Sequence, residues 1–225
     1  MKSVRGDLPS KGDKQVFAGF ERQQMEKINI VAIYGSPRRN GNTAMLLKKA
    51  VEGARQGGAQ VDEFVLRDLK LSPCLEIYGC KKNGECTIKD DFQMLRDQIL
   101  AARGLMLASP IFFYTVSAHT KIFMDRFQSL WVKKYWINKT PKGQAAVQRR
   151  GLFISVGATG GKKLFDGVEL SMRYFFDVLD MKLWKSLTYR GLDFESDVLK
   201  FPDYLQQAHE AGQQLAKVLQ NEFII

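Results

Sequence analysis

The sequence predicts an α/β domain built on a doubly wound, five-stranded parallel sheet of order 2-1-3-4-5 with helices on both faces. Three observations carry this reading. Short runs that are apolar on both faces alternate with segments whose apolar residues recur at spacings of three and four. The first run, INIVAIYG, empties through SPRRNGNT into a helical pattern. Two later runs end in loops, SPIFFYTVSAHT and GATGG, at the same stage of the repeat. Strands covered by helices on both sides read as continuous apolar runs, and regular alternation of strand and helix is the pattern of a parallel sheet.

The candidate strands are 28–34, 61–66, 104–109, 151–156 and 182–189. Between them, 43–57 places Met45, Leu46 and Ala50 on one side of a helix, and 91–101 does the same for Phe92, Leu95, Ile99 and Leu100. A further helix is expected over 117–127. Val168, Met172, Phe175, Phe176 and Leu179 form another stripe, and Leu205, Ala208, Leu215 and Val218 a last one, opened by Pro202 at a favoured first-turn position. Residues 1–27 are polar, with a short apolar cluster at Val16, Phe17, Phe20 and Met25, and read as an N-terminal extension to a single domain over 28–225.

At 225 residues, 45% hydrophobic and 26% charged, the chain is long enough to bury one full core. No apolar run approaches the roughly 20 residues that span a bilayer, and the first residues lack a signal-peptide core, so a cytoplasmic location is expected. The net charge of +10 is unevenly placed. No acidic residue lies between Asp125 and Asp166, whereas Arg126, Lys133, Lys134, Lys139, Lys142, Arg149, Arg150, Lys162 and Lys163 all do. Such a tract reads either as a cationic face that gathers anions or as a solvated surface. Its interleaved Trp131, Tyr135 and Trp136 fit stacking on single-stranded nucleic acid, a subunit contact or, the preferred reading, a lid over a bound cofactor.

In a sheet of this order a ligand belongs at the carboxyl ends of the first and third strands, where the strand order reverses. The first loop lacks both GxxxxGK[ST] and GxGxxG, which disfavours an NTPase P-loop and a dinucleotide fingerprint. Ser36, Arg38, Asn40, Asn42 and Thr43 around Gly41 instead suit a terminal monophosphate at a helix start. The competing reading is an ordinary cap, with Asn42 or Thr43 closing the first turn. In the second loop, Pro110 stops the strand and Ile111, Phe112, Phe113 and Tyr114 follow, able to sandwich a flat heterocycle or simply to cover the core. The small residues from Gly157 through Thr159 and Gly160 allow a ligand to approach the backbone. Lys121, Asp125 and Arg126 read as an ion pair and capping set.

GSPRRNGNT, SPIFFYTVSAHTKIFMDR and VGATGG, at these separations, resemble the NADPH-dependent FMN reductase family, and within it the iron-sulfur flavoprotein branch of the flavodoxin-like superfamily. The resemblance runs from Ile28 to the last helix. It implies FMN as cofactor, with its phosphate held by Ser36, Arg38, Asn40, Gly41, Asn42 and Thr43. Pro110, Ile111, Phe112, Phe113 and Tyr114 would meet the isoalloxazine, with Gly157, Thr159 and Gly160 nearby. It further implies NAD(P)H as electron donor, a small-molecule acceptor such as a flavin, quinone or nitroaromatic compound, and a homodimer or homotetramer. An electron carrier serving protein partners and a flavin-free nucleic-acid-binding module are the alternatives. No side chain is required as acid, base or nucleophile, because the cofactor carries the chemistry.

The cysteine segment SPCLEIYGCKKNGECTIKDD departs from that branch. Cys74, Cys80 and Cys86 stand where the family's compact motif has four cysteines, with Ile77 in the remaining position. Three thiolates fall short of the four that iron-sulfur clusters and structural zinc normally use. Free or redox-active thiols are therefore the favoured reading over a cluster completed by Glu76, Asp90 or Asp91, and over zinc. Asp90 and Asp91 are expected to cap the helix that follows.

Overall fold

Alternate residues along each central strand face two separate apolar cores, and this is what fixes the layers. The computed structural model describes residues 28–141 and 148–221; the N-terminal extension, with Val16, Phe17, Phe20 and Met25, and Lys142 of the basic tract lie outside them. Strands β1 (Asn29–Tyr34), β2 (Gln60–Val65), β3 (Gly104–Pro110), β4 (Arg150–Gly157) and β5 (Lys182–Arg190) pair in parallel in the order β2-β1-β3-β4-β5. The order and the five strands agree with the sequence reading.

Ile30, Ala32 and Tyr34 of β1 enter one core with helices α1 (Asn42–Gln56) and α6 (Pro202–Asn221). Val31 and Ile33 enter the other, with α2 (Phe92–Ala101), α3 (Ala118–Asp125) and α5 (Asp166–Val178). Central β3 and β4 are buried almost throughout, while edge strands β2 and β5 are half-exposed, as expected for parallel strands sandwiched between helices. A short α4 (Gln128–Trp131) runs straight into a π-helical turn, Val132–Ile137.

Helices α1 and α6 approach through glycines. A Cβ at Gly53 would lie 1.9 Å from the carbonyl oxygen of His209, and one at Gly212 would lie 1.8 Å from that of Ala50. Both obstacles are backbone, so neither side chain rotation nor a small shift relieves them.

The basic tract is not a free cationic face, because several of its charges hold elements together. The Arg126 side chain is fully buried beyond the end of α3 and pairs with Asp90 at 2.6 Å. It also donates to the carbonyls of Ser72 and Ile88. Lys134, also buried, reaches Asp180 at 2.8 Å and the Asp177 carbonyl at the end of α5, while Tyr135 donates to the Asp177 carboxylate. Arg149 donates to the carbonyls of Ile99, Ala102 and Leu179, placing a cation against the carboxyl ends of α2 and α5, where the helix dipole favours it. The π-turn is thereby pinned to α5 and, through Lys133 and Glu85 at 3.7 Å, to the cysteine segment, which gives part of the tract a structural role beside that of the expected lid. Lys121 and Asp125 do form the expected i,i+4 pair, at 2.6 Å.

Asp90 accepts from the N–H of Phe92 at the start of α2, whereas Asp91 turns away to accept from the N–H of Lys70. Only Asp90 caps with its side chain. Burial opposes ionisation of Asp90, yet the Arg126 guanidinium and the N–H groups of Ser72 and Phe92 outweigh it and hold the carboxyl below its usual range.

Two expectations follow. Replacing Gly212→Ala gains about 1 kcal/mol of helix propensity but meets the Ala50 carbonyl, so denaturant unfolding should show a net loss of about 2 kcal/mol. Because Asp90 titrates lower when folded than its unfolded value of about 3.9, its contribution is complete above that pH and disappears as pH falls through the folded value. Asp90→Asn should thus destabilise by about 3 kcal/mol at pH 7, with the gap from wild type narrowing in unfolding curves taken progressively below about pH 4.

Candidate functional site

The loops after β1, β3, β4 and β5 meet at the carboxyl edge of the sheet, around the reversal between β1 and β3. A buried hydroxyl network joins the first two. Ser117 precedes α3 and caps it, accepting from the Thr120 N–H, while its own hydroxyl donates to the Gly35 carbonyl at 2.5 Å. The Ser117 N–H donates to Ser109 Oγ at 2.9 Å, and Ser155 Oγ of β4 donates to the Ser109 carbonyl at 2.8 Å. Gly35 must be glycine here, since a Cβ would sit 2.0 Å from Thr120 Oγ1 and 2.7 Å from the Ala108 carbonyl. Sequence reasoning passed over Ser109, Ser117, Thr120 and Ser155; the available signal was the Ser117-x-x-Thr120 spacing before a helical stripe.

The first loop turns tightly, with Ser36 Oγ accepting from the Arg38 N–H at 3.1 Å. The N-cap of α1 is Gly41, in an extended conformation and with no side-chain cap. This corrects the expectation that Asn42 or Thr43 would close the turn: both lie inside it. The first-turn N–H groups, beginning with those of Asn42 and Thr43, consequently have no intrahelical acceptor and concentrate positive potential at one point. Ser36, Asn42 and Thr43 are buried, and Arg38 and Asn40 are exposed.

Asn42 has a different task from the one its position suggested. Its amide donates to the Phe194 carbonyl at 2.9 Å and accepts from the Val198 N–H at 3.0 Å, so both ends of the side chain hold the loop after β5. Arg38 also donates to that loop, at the Asp193 carbonyl. The loop is stiffened by Asp197, which accepts from the N–H groups of Asp193 and Phe194 and pairs with Lys200 at 2.6 Å. The Lys200 contact and then the N–H donors hold its carboxyl below the usual range. Phe194 is left exposed on the rim. This fourth wall had no sequence motif to announce it.

In the second loop, Phe112 and Thr115 exchange backbone hydrogen bonds around Phe113 and Tyr114, whose φ angles are 50° and 63°. Two successive non-glycine residues in the left-handed region are strained by about 1 kcal/mol each. Phe113 is fully exposed, and Phe112 and Tyr114 are about half-exposed. These aromatics therefore do not cover the core; only Ile111 packs against it. In the third loop Ala158, Thr159 and Gly160 are exposed, and a Cβ at Gly160 would meet nothing within 4 Å. Arg190 of β5 fixes the far end of this loop through the carbonyls of Gly161 and Lys162.

The sequence thus places Ser36, Arg38, Asn40, Gly41, Asn42 and Thr43 in one loop and Pro110 to Tyr114 in its partner across the reversal. The cysteines lie apart from both. Cys74, Cys80 and Cys86 are half-buried free thiols lining a cavity of 210 Å³ against Gln128, Trp131, Val132 and Trp136. Among the described residues no three His, Cys, Asp or Glu side chains come together to hold a metal, and Ile77, between Cys74 and Cys80, is exposed. The donor set does not fit a four-cysteine cluster. A larger concavity, 650 Å³, lies between α3, the π-turn and α5, away from the four loops.

The described residues contain no helix long and apolar enough to cross a membrane. Among relatives, an iron-sulfur flavoprotein of Methanocaldococcus jannaschii is 36% identical over 103 residues, covering 46% of this chain and 53% of its own. The chain spans about half the length of the curated relatives it matches first. Among solved structures, a flavone reductase superposes with a TM-score of 0.65 at 19% identity, covering 86% of this chain and 64% of its own. The NAD(P)H:quinone oxidoreductase of Methanothermobacter marburgensis gives 0.61 at 17%, covering 84% and 97%. Identities this low establish the shared flavodoxin-like fold. The family model for NADPH-dependent FMN reductase matches residues 28–187, the span that holds the first four strands, most of the fifth and three of the four loops at the carboxyl edge of the sheet, and the chain belongs to that family.

Proposed function

We propose that the protein binds FMN at the reversal between β1 and β3 and acts as an NAD(P)H-dependent oxidoreductase with a small-molecule acceptor. The observation that carries this reading is the uncapped start of α1 facing the same crevice as the strained aromatic turn. The N–H groups of the first turn of α1, with the Ser36 and Thr43 hydroxyls, form the phosphate seat. The phosphate accepts those bonds and gains from the helix dipole. Arg38 and Asn40, exposed at the lip, add donors from the solvent side.

Pro110 to Tyr114 would hold the ring, with their backbone groups available to its edge, and a Cβ at Gly160 in the third loop would meet nothing within 4 Å, which leaves space there. Bound FMN supplies the redox chemistry, accepting a hydride from the nicotinamide and passing electrons onward. The chain's task would be to hold and orient the ring where an exchanging donor and acceptor can reach it. Phe113, Tyr114 and Phe194 supply apolar faces for flat partners, which suits quinones, flavins and nitroaromatic compounds. A homo-oligomer in the cytoplasm is the expected setting. Arg126, Lys134 and Arg149, which hold helices and loops together, are withdrawn from the cationic surface that nucleic-acid binding would use.

Titration of flavin fluorescence tests the site. FMN should bind at least about 100-fold more tightly than riboflavin, since each charge-assisted hydrogen bond contributes about 1.5–3 kcal/mol. Ser36→Ala should weaken FMN about ten-fold and leave riboflavin unchanged. The FMN-loaded protein should bleach on anaerobic addition of NADPH or NADH. Equal affinities for the two flavins, or no binding of either, would overturn the assignment.

A further inference from the structure

The cysteine cavity has a chemistry of its own. Its Cys86 Sγ receives a hydrogen bond from Nε of Arg126 at 3.4 Å. That guanidinium cannot turn away: its other donors are engaged by the Asp90 carboxylate and the carbonyls of Ser72 and Ile88, and the ring of Phe92 lies 4.6 Å from its centre. The contact holds the Cys86 sulfur in one orientation at the wall of the cavity. The cavity itself is a mostly apolar slot between the cysteine segment and the π-turn, walled by Leu75, Ile77, Tyr78, Trp131 and Trp136. Its volume of 210 Å³ exceeds the roughly 150 Å³ that accommodates a benzene ring.

We propose that this cavity is a covalent site for small aromatic disulfides, with Cys86 as the attacking thiol and Arg126 as the group that positions its sulfur. The Cys86 sulfur, its proton released to solvent, bonds to one sulfur of the disulfide. The original sulfur–sulfur bond breaks and the second sulfur leaves with the electron pair as an arylthiolate. One disulfide is exchanged for another, so no outside oxidant is needed. The aromatic group left on Cys86 occupies the slot beside Trp131 and Trp136. The site is independent of the flavin reading.

The test uses the intact chain and 5,5′-dithiobis(2-nitrobenzoate), whose released thiolate is counted by absorbance. One thiol per chain should react at least about ten-fold faster than the other two. That phase should be absent in Cys86→Ser and retained in Cys74→Ser and Cys80→Ser, all three variants melting within a few degrees of wild type. After anaerobic incubation with ferrous iron and sulfide, the fast thiol should remain reactive and bound iron should stay well below four per chain. Three thiols reacting at one rate, a fast phase that survives Cys86→Ser, or four irons and four sulfides per chain with the thiols protected would each overturn the proposal.

Discussion

The grip of Ser117 on the Gly35 carbonyl is the contact on which the site depends. A parallel sheet whose order reverses between β1 and β3 sends the following loops apart, one toward each face, and leaves a crevice between them. Something must hold the two lips at a fixed separation if a ligand is to find a preformed seat. Here a serine that caps one helix reaches the last carbonyl before the neighbouring loop, while Ser109 and Ser155 extend the link to β4. All of these hydroxyls are buried, so breaking one leaves an unsatisfied group away from water, at a cost of about 1–3 kcal/mol. The absence of a side chain at Gly35 is what permits the approach.

The same logic extends outward to the less regular parts. Asn42, the first residue of α1, holds the loop after β5 with both ends of its amide, tying the first and last strands of the chain across the edge of the sheet. Arg126 and Lys134 act at longer range, each bringing a buried cation to a carboxylate and to main-chain carbonyls. Buried ions of this kind are tolerated because each donor nitrogen has a partner. They take two of the nine basic residues of the acid-free tract out of any cationic face: their partners, Asp90, Asp177 and Asp180, come from outside the tract.

That point defines what the sequence could and could not convey. Periodicity depends on neighbours within one turn or one pleat, so the five strands, their order and the five longer helices were legible, as were the two loops at the reversal, whereas α4 and the π-turn after it were not. The fate of a polar side chain depends on residues far along the chain. Asn42 read as a cap or a phosphate ligand and is a tether to residues more than 150 positions away; Phe113 and Tyr114 read equally as core cover and as ring contacts, and only their left-handed, exposed turn distinguishes the two. The cysteine segment was legible as a departure, since Ile77 was visible at once, but the Arg126 contact to Cys86 was not.

The central claim is that a monophosphate sits on the uncapped start of α1 while a flat ring lies against the aromatic turn across the reversal. A crystal structure of the protein with FMN measures this directly. The account predicts the phosphate within hydrogen-bond distance of the N–H groups of the first turn of α1 and the Ser36 hydroxyl, with the isoalloxazine along Pro110 to Tyr114. Flavin bound instead in the concavity beside α5, or with its phosphate away from α1, would contradict it.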